Sequence, residues 1–366
     1  MSQSRVQARR RLRLRHGLLA ALLVMAVAIP LDVAVLEQVL PGHAPSRNPA
    51  GAQATDQHSF QVVRRLQGLS DLVAGDGTYP VALPDGQTAW LFGDCRFKTP
   101  GGIAGVRNAI LLQDTHGRFR LVTGHSGAFP TDLLPRVRPN TWLWPSSGYV
   151  SQGRLLVFAE EYKGVLDQDH RVGFVQTNHR YLFTLALPSL RPLPQPPREL
   201  YGGPIAWGHA LLLNGPDVYV YGNLEQDHGW TNLTYLARFP LSKPASYWQF
   251  WDGRDFVPDP GAAVPLRGVD GARLTTKLSS IIPNPDPQAR AAGSGVAAVT
   301  MQPFGATVQL RTAPRPEGPW SASHTLYQLP DLKQPAYLPR VRLEPDGTMQ
   351  LAYSVWTRPP RFVLIK

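Results

Sequence analysis

The chain has 366 residues, 43% of them hydrophobic, which supports a large core in one big domain or two smaller ones and excludes wholesale disorder. Of the formal charge of +11, residues 1–50 carry +5 (seven arginines against two acids), leaving +6 for the rest, where the basic residues are scattered. Nucleic-acid binding, which wants clustered Lys and Arg among stacking aromatics, is therefore not expected. The single cysteine, Cys95, excludes an internal disulfide and a cysteine metal cluster.

Residues 1–16 hold six arginines and no acid, and form a basic cytoplasmic n-region. Residues 17–40 are apolar apart from interruptions at Pro30, Asp32 and Glu37, and read as an export signal. The expectation is an uncleaved signal anchor in the cell membrane, with the body outside the cytoplasm by the positive-inside rule; secretion after signal cleavage is the alternative. Residues 41–58, rich in Pro, Ala, Gly, Ser and Gln, read as a linker, and residues 59–366 as the folded domain.

The first strong element is a hairpin. Apolar runs Tyr79–Leu83 and Thr88–Phe92 flank Pro84-Asp85-Gly86-Gln87, whose proline and Asp-Gly pair supply the φ values of a tight reversal. Residues equidistant from the turn face each other, which sets Asp76 opposite Asp94 at the open end. Alone, each aspartate reads as a turn residue bonding nearby amides. As a pair they cannot both ionise freely, which offers an acid and a base at one pH, the requirement of glycoside hydrolysis. Gly75, Gly77 and Gly93 beside them leave room for a ligand to approach the backbone.

Four further segments repeat the pattern of apolar strand, turn and apolar strand. The second strands start near residues 89, 155, 218, 296 and 349, at intervals of 66, 63, 78 and 53. Each interval has room for about four strands. With 36 prolines, 33 glycines and little helical periodicity after residue 60, the expectation is all-β, a five-bladed β-propeller. Equivalence of the repeats places Asp94, Glu160 and Asn223 at one end of a central channel. Trp144 and Trp207 are candidate sugar-stacking faces, His209 a donor to a substrate hydroxyl, and Asn108 an amide that either bonds a sugar or caps a turn. No metal-ligand constellation, phosphate loop or nucleophile elbow occurs, so neither a metal nor a cofactor is expected.

At Gly75-Asp76-Gly77, Trp90-Leu91-Phe92-Gly93-Asp94, Asn108, Trp144-Pro145, Trp207-Gly208, Tyr219-Val220-Tyr221-Gly222, Trp251-Asp252-Gly253, Pro316-Glu317-Gly318-Pro319-Trp320 and Tyr353-Ser354, the chain resembles a family of exported bacterial five-bladed propellers. That family is catalogued as a domain of unknown function and includes endo-D-arabinanases. The resemblance implies cleavage of furanoside linkages in cell-envelope arabinan, with Asp76 and Asp94 as the catalytic carboxylates. The chain departs from the family in having Cys95 where Thr or Ser is usual and Leu338-Pro339 where His-Pro is frequent. The rival expectation is a non-catalytic propeller that binds glycan or an envelope protein.

Overall fold

The computed structural model describes residues 62–66, 71–166, 172–201, 203–226, 231–302, 304–330 and 334–366. The n-region, the signal segment and the linker lie outside these residues. Among the described residues, no helix is long and apolar enough to cross a membrane.

The described chain is all-β, its helix confined to Pro287–Ala291 and a short 3₁₀ turn at Pro260–Ala262. Among the described residues seven antiparallel sheets form, two of them small, a pair at Gly124–Ser126 and Phe129–Thr131 and a three-stranded sheet of Leu72–Gly75, Cys95–Thr99 and Gly102–Val106, and five larger ones follow one another along the chain. The first contains Tyr79–Ala82, Thr88–Phe92, Ala109–Gln113 and Phe119–Val122. The second begins with Thr141–Ser151 and Arg154–Leu166, the third with Ala206–Asn214 and Asp217–Gln226, and the fourth with Leu278–Pro283 and Val296–Thr300. The fifth contains Ala336–Leu343, Met349–Val355 and Arg358–Ile365, and is completed by Val62–Leu66, which pairs with Arg358–Ile365 from the other end of the chain. The five repeated hairpins are thus the first two strands of the five sheets.

The pattern of burial explains why the second strands are apolar on both faces. Each is sandwiched between its neighbours, so consecutive side chains enter different interfaces. Leu91 packs in a core with Val157, Phe158 with Val220, Tyr221 with Ala298, Val299 with Leu351, and Ala352 with Trp90. These five cores join each sheet to the next and the last to the first. The first strands touch in the same closed order around the centre. The architecture is of propeller type.

In the second to fifth sheets the first strand slips register at equivalent places, between Pro145 and Ser147, Trp207 and Ala210, Leu278 and Ser280, and Tyr337 and Arg340. Such bulges re-aim side chains, and two of them carry His209 and Arg340. Arg340 is fully buried. Its guanidinium lies 3.9 Å from the centre of the Tyr79 ring, donates to Ser279 O at 2.7 Å, and approaches His209 Nε2 at 3.2 Å. One side chain of the fifth sheet thus meets the first, third and fourth, and it feels the charge of Glu160 in the second.

Candidate active site

The hairpin register carries through to the acids. Tyr79 pairs with Leu91 and Gly75 with Cys95. Between these pairs Asp76 N donates to Asp94 O at 3.3 Å and Gly93 N to Asp76 O at 2.9 Å, which sets the two aspartates opposite each other. The crossing is strained: Gly77 has φ +96° and Thr78 φ +49°, and a β-branched residue in the left-handed region costs on the order of 1–3 kcal/mol. Thr78 is also fully buried, with its hydroxyl unpartnered.

The glycines here make room for protein rather than for ligand. A Cβ on Gly93 would stand 2.8 Å from Asp76 Oδ1, and one on Gly77 would stand 3.1 Å from Gly93 N. Only without those side chains can the Asp76 carboxylate lie across the neighbouring strand.

Each acid is held by an aromatic side chain from a different wall. Trp144 Nε1 donates to Asp94 Oδ1 at 2.9 Å, and Trp144 packs with Tyr162, Phe174 and Trp142 at ring separations of 4.3, 4.9 and 6.1 Å. Tyr337 OH donates to Asp76 Oδ2 at 3.0 Å, and Tyr337 packs with Phe304 and Trp356 at 6.0 and 6.3 Å. Arg107 Nη1 meets both oxygens of Asp94, at 3.3 and 3.0 Å, with its guanidinium 4.6 Å from the centre of the Trp142 ring.

Burial, then the charge of Asp94, pushes Asp76 up to about 7. Burial pushes Asp94 up to about 6, against the lowering effect of Arg107 and of the Trp144 donor. The two protons belong to one coupled pair, and both are retained well above the ordinary carboxylate range.

Cys95, beside the pair, is 1% exposed, and burial followed by the two carboxylates pushes its thiol up to about 12. It stays a protonated core side chain and no nucleophile. Cys95→Ala is expected to leave turnover unchanged, with thiol reagents labelling the native chain only on unfolding; rapid labelling of the folded protein would contradict this.

Glu160 and Asn223 stand at matching places in consecutive sheets, each six residues after the first residue of its second strand, Arg154 and Asp217; counted the same way, Asp94 is out of phase with them by one residue, since Leu91 faces the second sheet where Val157 faces the first. Glu160 Oε2 accepts from Tyr162 OH and Gln176 Nε2, both at 2.9 Å, while its Oε1 is buried without a hydrogen-bond partner, 4.0 Å from His209 Nδ1. Arginine has no acceptor, so His209 Nε2 accepts from Arg340 and the ring proton sits on Nδ1, facing Glu160. Burial, then Lys277 and Arg340, holds His209 well below its usual range, so it is neutral. Asn223 Oδ1 accepts from Thr234 at 3.1 Å, and its buried Nδ2 has no partner.

Two candidates lie apart from this group. Asn108 spends its amide on the backbone, accepting from Leu134 N at 2.6 Å and donating to Leu134 O and Leu143 O at 3.2 and 3.0 Å. Trp207 is 3% exposed and packed against Trp248 and Phe250, a core residue between sheets. Conversely, Arg107, Tyr337, Tyr162, Phe304 and Arg340 join the site without having been singled out from sequence. The available signal for Tyr337 was its place in the opening strand of the fifth repeat, equivalent to that of Trp144 in the second. Among the described residues no cluster of His, Cys, Asp and Glu could hold a metal ion.

Comparison with solved structures finds similar folds at low sequence identity. A Bacteroides ovatus ATCC 8483 protein provisionally named a hydrolase has a TM-score of 0.60 and 13% identity, covering 83% of this chain and 87% of that chain. A GH43 β-xylosidase/α-arabinofuranosidase from a compost metagenome, in complex with xylotriose, gives 0.47 and 9% over 84% and 94% of the two chains. The GH43_1 enzyme of Xanthomonas citri, in complex with xylose, gives 0.48 and 11% over 83% and 89%. At 13% identity the likeness to the Bacteroides ovatus protein is one of fold. No curated protein matches the chain. Residues 60–345, well over half of the sequence, match the family described as Domain of unknown function (DUF5005), and the chain belongs to that family.

Proposed function

We propose that the protein is a glycoside hydrolase that cleaves furanoside linkages of arabinan type in a cell-envelope polysaccharide, with Asp76 and Asp94 as its acid and base. In this reading the five sheets are the blades of a five-bladed propeller. Residues 17–40 hold the propeller outside the cytoplasm as a membrane anchor, or direct its secretion if cleaved.

One observation carries the reading: two half-buried carboxylates face each other across a hairpin, both hold protons to near neutrality, and each is tied to a different aromatic wall. Hydrolysis of a glycosidic bond needs one carboxylic acid to protonate the departing oxygen and one carboxylate to activate water or meet the charge on the sugar. Aromatic faces on both sides suit the apolar faces of successive sugar rings. The furanoside and arabinan part rests on the resemblance carried by the motifs around Asp76 and Asp94.

The test is product analysis of the full-length chain incubated with arabinan and with arabinogalactan. Release of oligosaccharides by the native protein, with loss in Asp94→Asn, is the expected result. Binding to either glycan without released reducing ends would overturn the hydrolase reading in favour of a glycan-binding propeller.

A further inference from the structure

We infer that Asp76 is the proton donor to the departing oxygen, that Asp94 is the carboxylate partner, and that Arg107 is the positioning residue that fixes this division. The inference rests on the hydrolase reading above and deepens it. Its ground is the unequal set of donors around two acids that the hairpin otherwise treats alike.

Asp94 accepts from a guanidinium through both oxygens and from an indole N–H through one. Charge-assisted bonds of this kind favour the ionised carboxylate. Asp76 accepts from one neutral phenol at Oδ2 and has no cationic partner among the described residues, and its Oδ1 is left without a hydrogen bond among them. A proton shared by the pair therefore resides on Asp76, and Oδ1 is the oxygen able to present it.

The other groups around the pair do not reverse this order. Asp132 raises Asp94, but its Oδ1 is engaged by Arg107 N at 2.6 Å. Tyr79 and Tyr337 are held as neutral phenols and Cys95 as a thiol, chiefly by burial. The final protonation order, Asp76 at about 7 and Asp94 at about 6, agrees with the donor count.

In the reaction the electron pair of the broken carbon–oxygen bond leaves with the glycosidic oxygen, which takes the proton from Asp76. Water supplies the oxygen of the new bond to the anomeric carbon and loses one proton, to Asp94 if it attacks directly or to Asp76 if it displaces a glycosyl group first held on Asp94. On the first route exchange with solvent returns the proton to Asp76 and removes it from Asp94; on the second the water's proton itself restores Asp76.

Two measurements on the full-length chain test this. The first is a ¹³C titration of labelled aspartate carboxyls, assigned with Asp76→Asn and Asp94→Asn. Asp76 is expected to keep its proton to the higher pH; Arg107→Met should shift Asp94 upward and narrow the gap, and Trp144→Phe should do so less. If Asp94 holds the last proton in the native chain, or neither variant moves it, the division of roles is wrong.

The second compares arabinan with a 2,4-dinitrophenyl arabinofuranoside, whose leaving group needs no proton. Asp76→Asn should lose about 10²- to 10⁴-fold on arabinan and stay near native on the activated substrate, whereas Asp94→Asn should lose on both. The reverse pattern also overturns the assignment. No turnover of either substrate by the native chain, with the titration order intact, defeats the hydrolase reading and the donor role with it, while the charge division by Arg107 stands.

Discussion

Asp76→Asn is expected to melt at a higher temperature than the native chain above neutral pH, while turning over arabinan about 10²- to 10⁴-fold more slowly. The two effects share one cause. The Asp76 carboxyl has an ordinary value of 3.8 and is pushed to about 7 by burial and by Asp94. Below 3.8 both folded and unfolded chains are protonated there, and the group contributes nothing pH-dependent. As the pH rises toward 7 the unfolded chain gives up this proton while the folded chain keeps it, so stability falls across that window.

Above pH 7 the folded chain carries the full cost of an ionised carboxylate facing another. A shift of about three units corresponds to roughly 4 kcal/mol at most, and residual solvent contact brings the expectation to about 2 kcal/mol. In a domain of about 300 residues that is a rise of about 3 °C. Thermal melts of both proteins at pH 8 and pH 4 check it: the gain should be present at pH 8 and absent at pH 4. A lower melting temperature for the variant at pH 8 would show the carboxylate to be a structural acceptor for Tyr337, and would remove the argument that stability is sacrificed here for chemistry.

The acid pair was legible because one local signal determines it. Pro84, Asp85 and Gly86 locate the turn, and from the turn the facing of Asp76 and Asp94 follows by counting; Gly86 has φ +82° and Leu83 N donates to Gln87 O at 2.9 Å. The match of Glu160 with Asn223 was legible for a related reason, since two similar apolar strands buried on both faces start and end at similar heights. The closure of the ring was not, because nothing local in Val62–Leu66 marks its pairing with Arg358–Ile365.

Tyr337 and Asp76 are 261 residues apart, and their hydrogen bond follows from that closure. Asn108 and Trp207 misled for the opposite reason. An amide that braces two loop carbonyls and an amide that awaits a sugar look the same in sequence, as do a tryptophan between sheets and one at a site. Their partners are backbone atoms or distant rings without a local signature.

Arg340→Met is expected to destabilise the chain by about 3–5 kcal/mol at pH 8, roughly 5–8 °C in melting temperature, and by less at pH 5. A methionine of similar length fills part of the space but cannot donate to Ser279 O, support His209 Nε2 or offset Glu160, whose Oε1 already lacks a partner in a buried position. Removing one member of a buried charge group leaves the other uncompensated, and that cost exceeds what the intact group contributed. The pH dependence follows from His209. Its folded value lies well below 6.5, so the unfolded chain takes up its proton first as pH falls; the associated stability is present above 6.5 and is lost toward the folded value. Arg340 is one cause of that depression, so without it His209 can protonate closer to 6.5, with its Nδ1 already facing Glu160 at 4.0 Å. The variant therefore recovers part of its loss in acid. Denaturant unfolding of both proteins at pH 5 and pH 8 separates the terms: an equal loss at both pH values would show that His209 and Glu160 are not coupled through Arg340, and a loss under about 1 kcal/mol would show that the guanidinium is a filler of the channel rather than a pin between its walls.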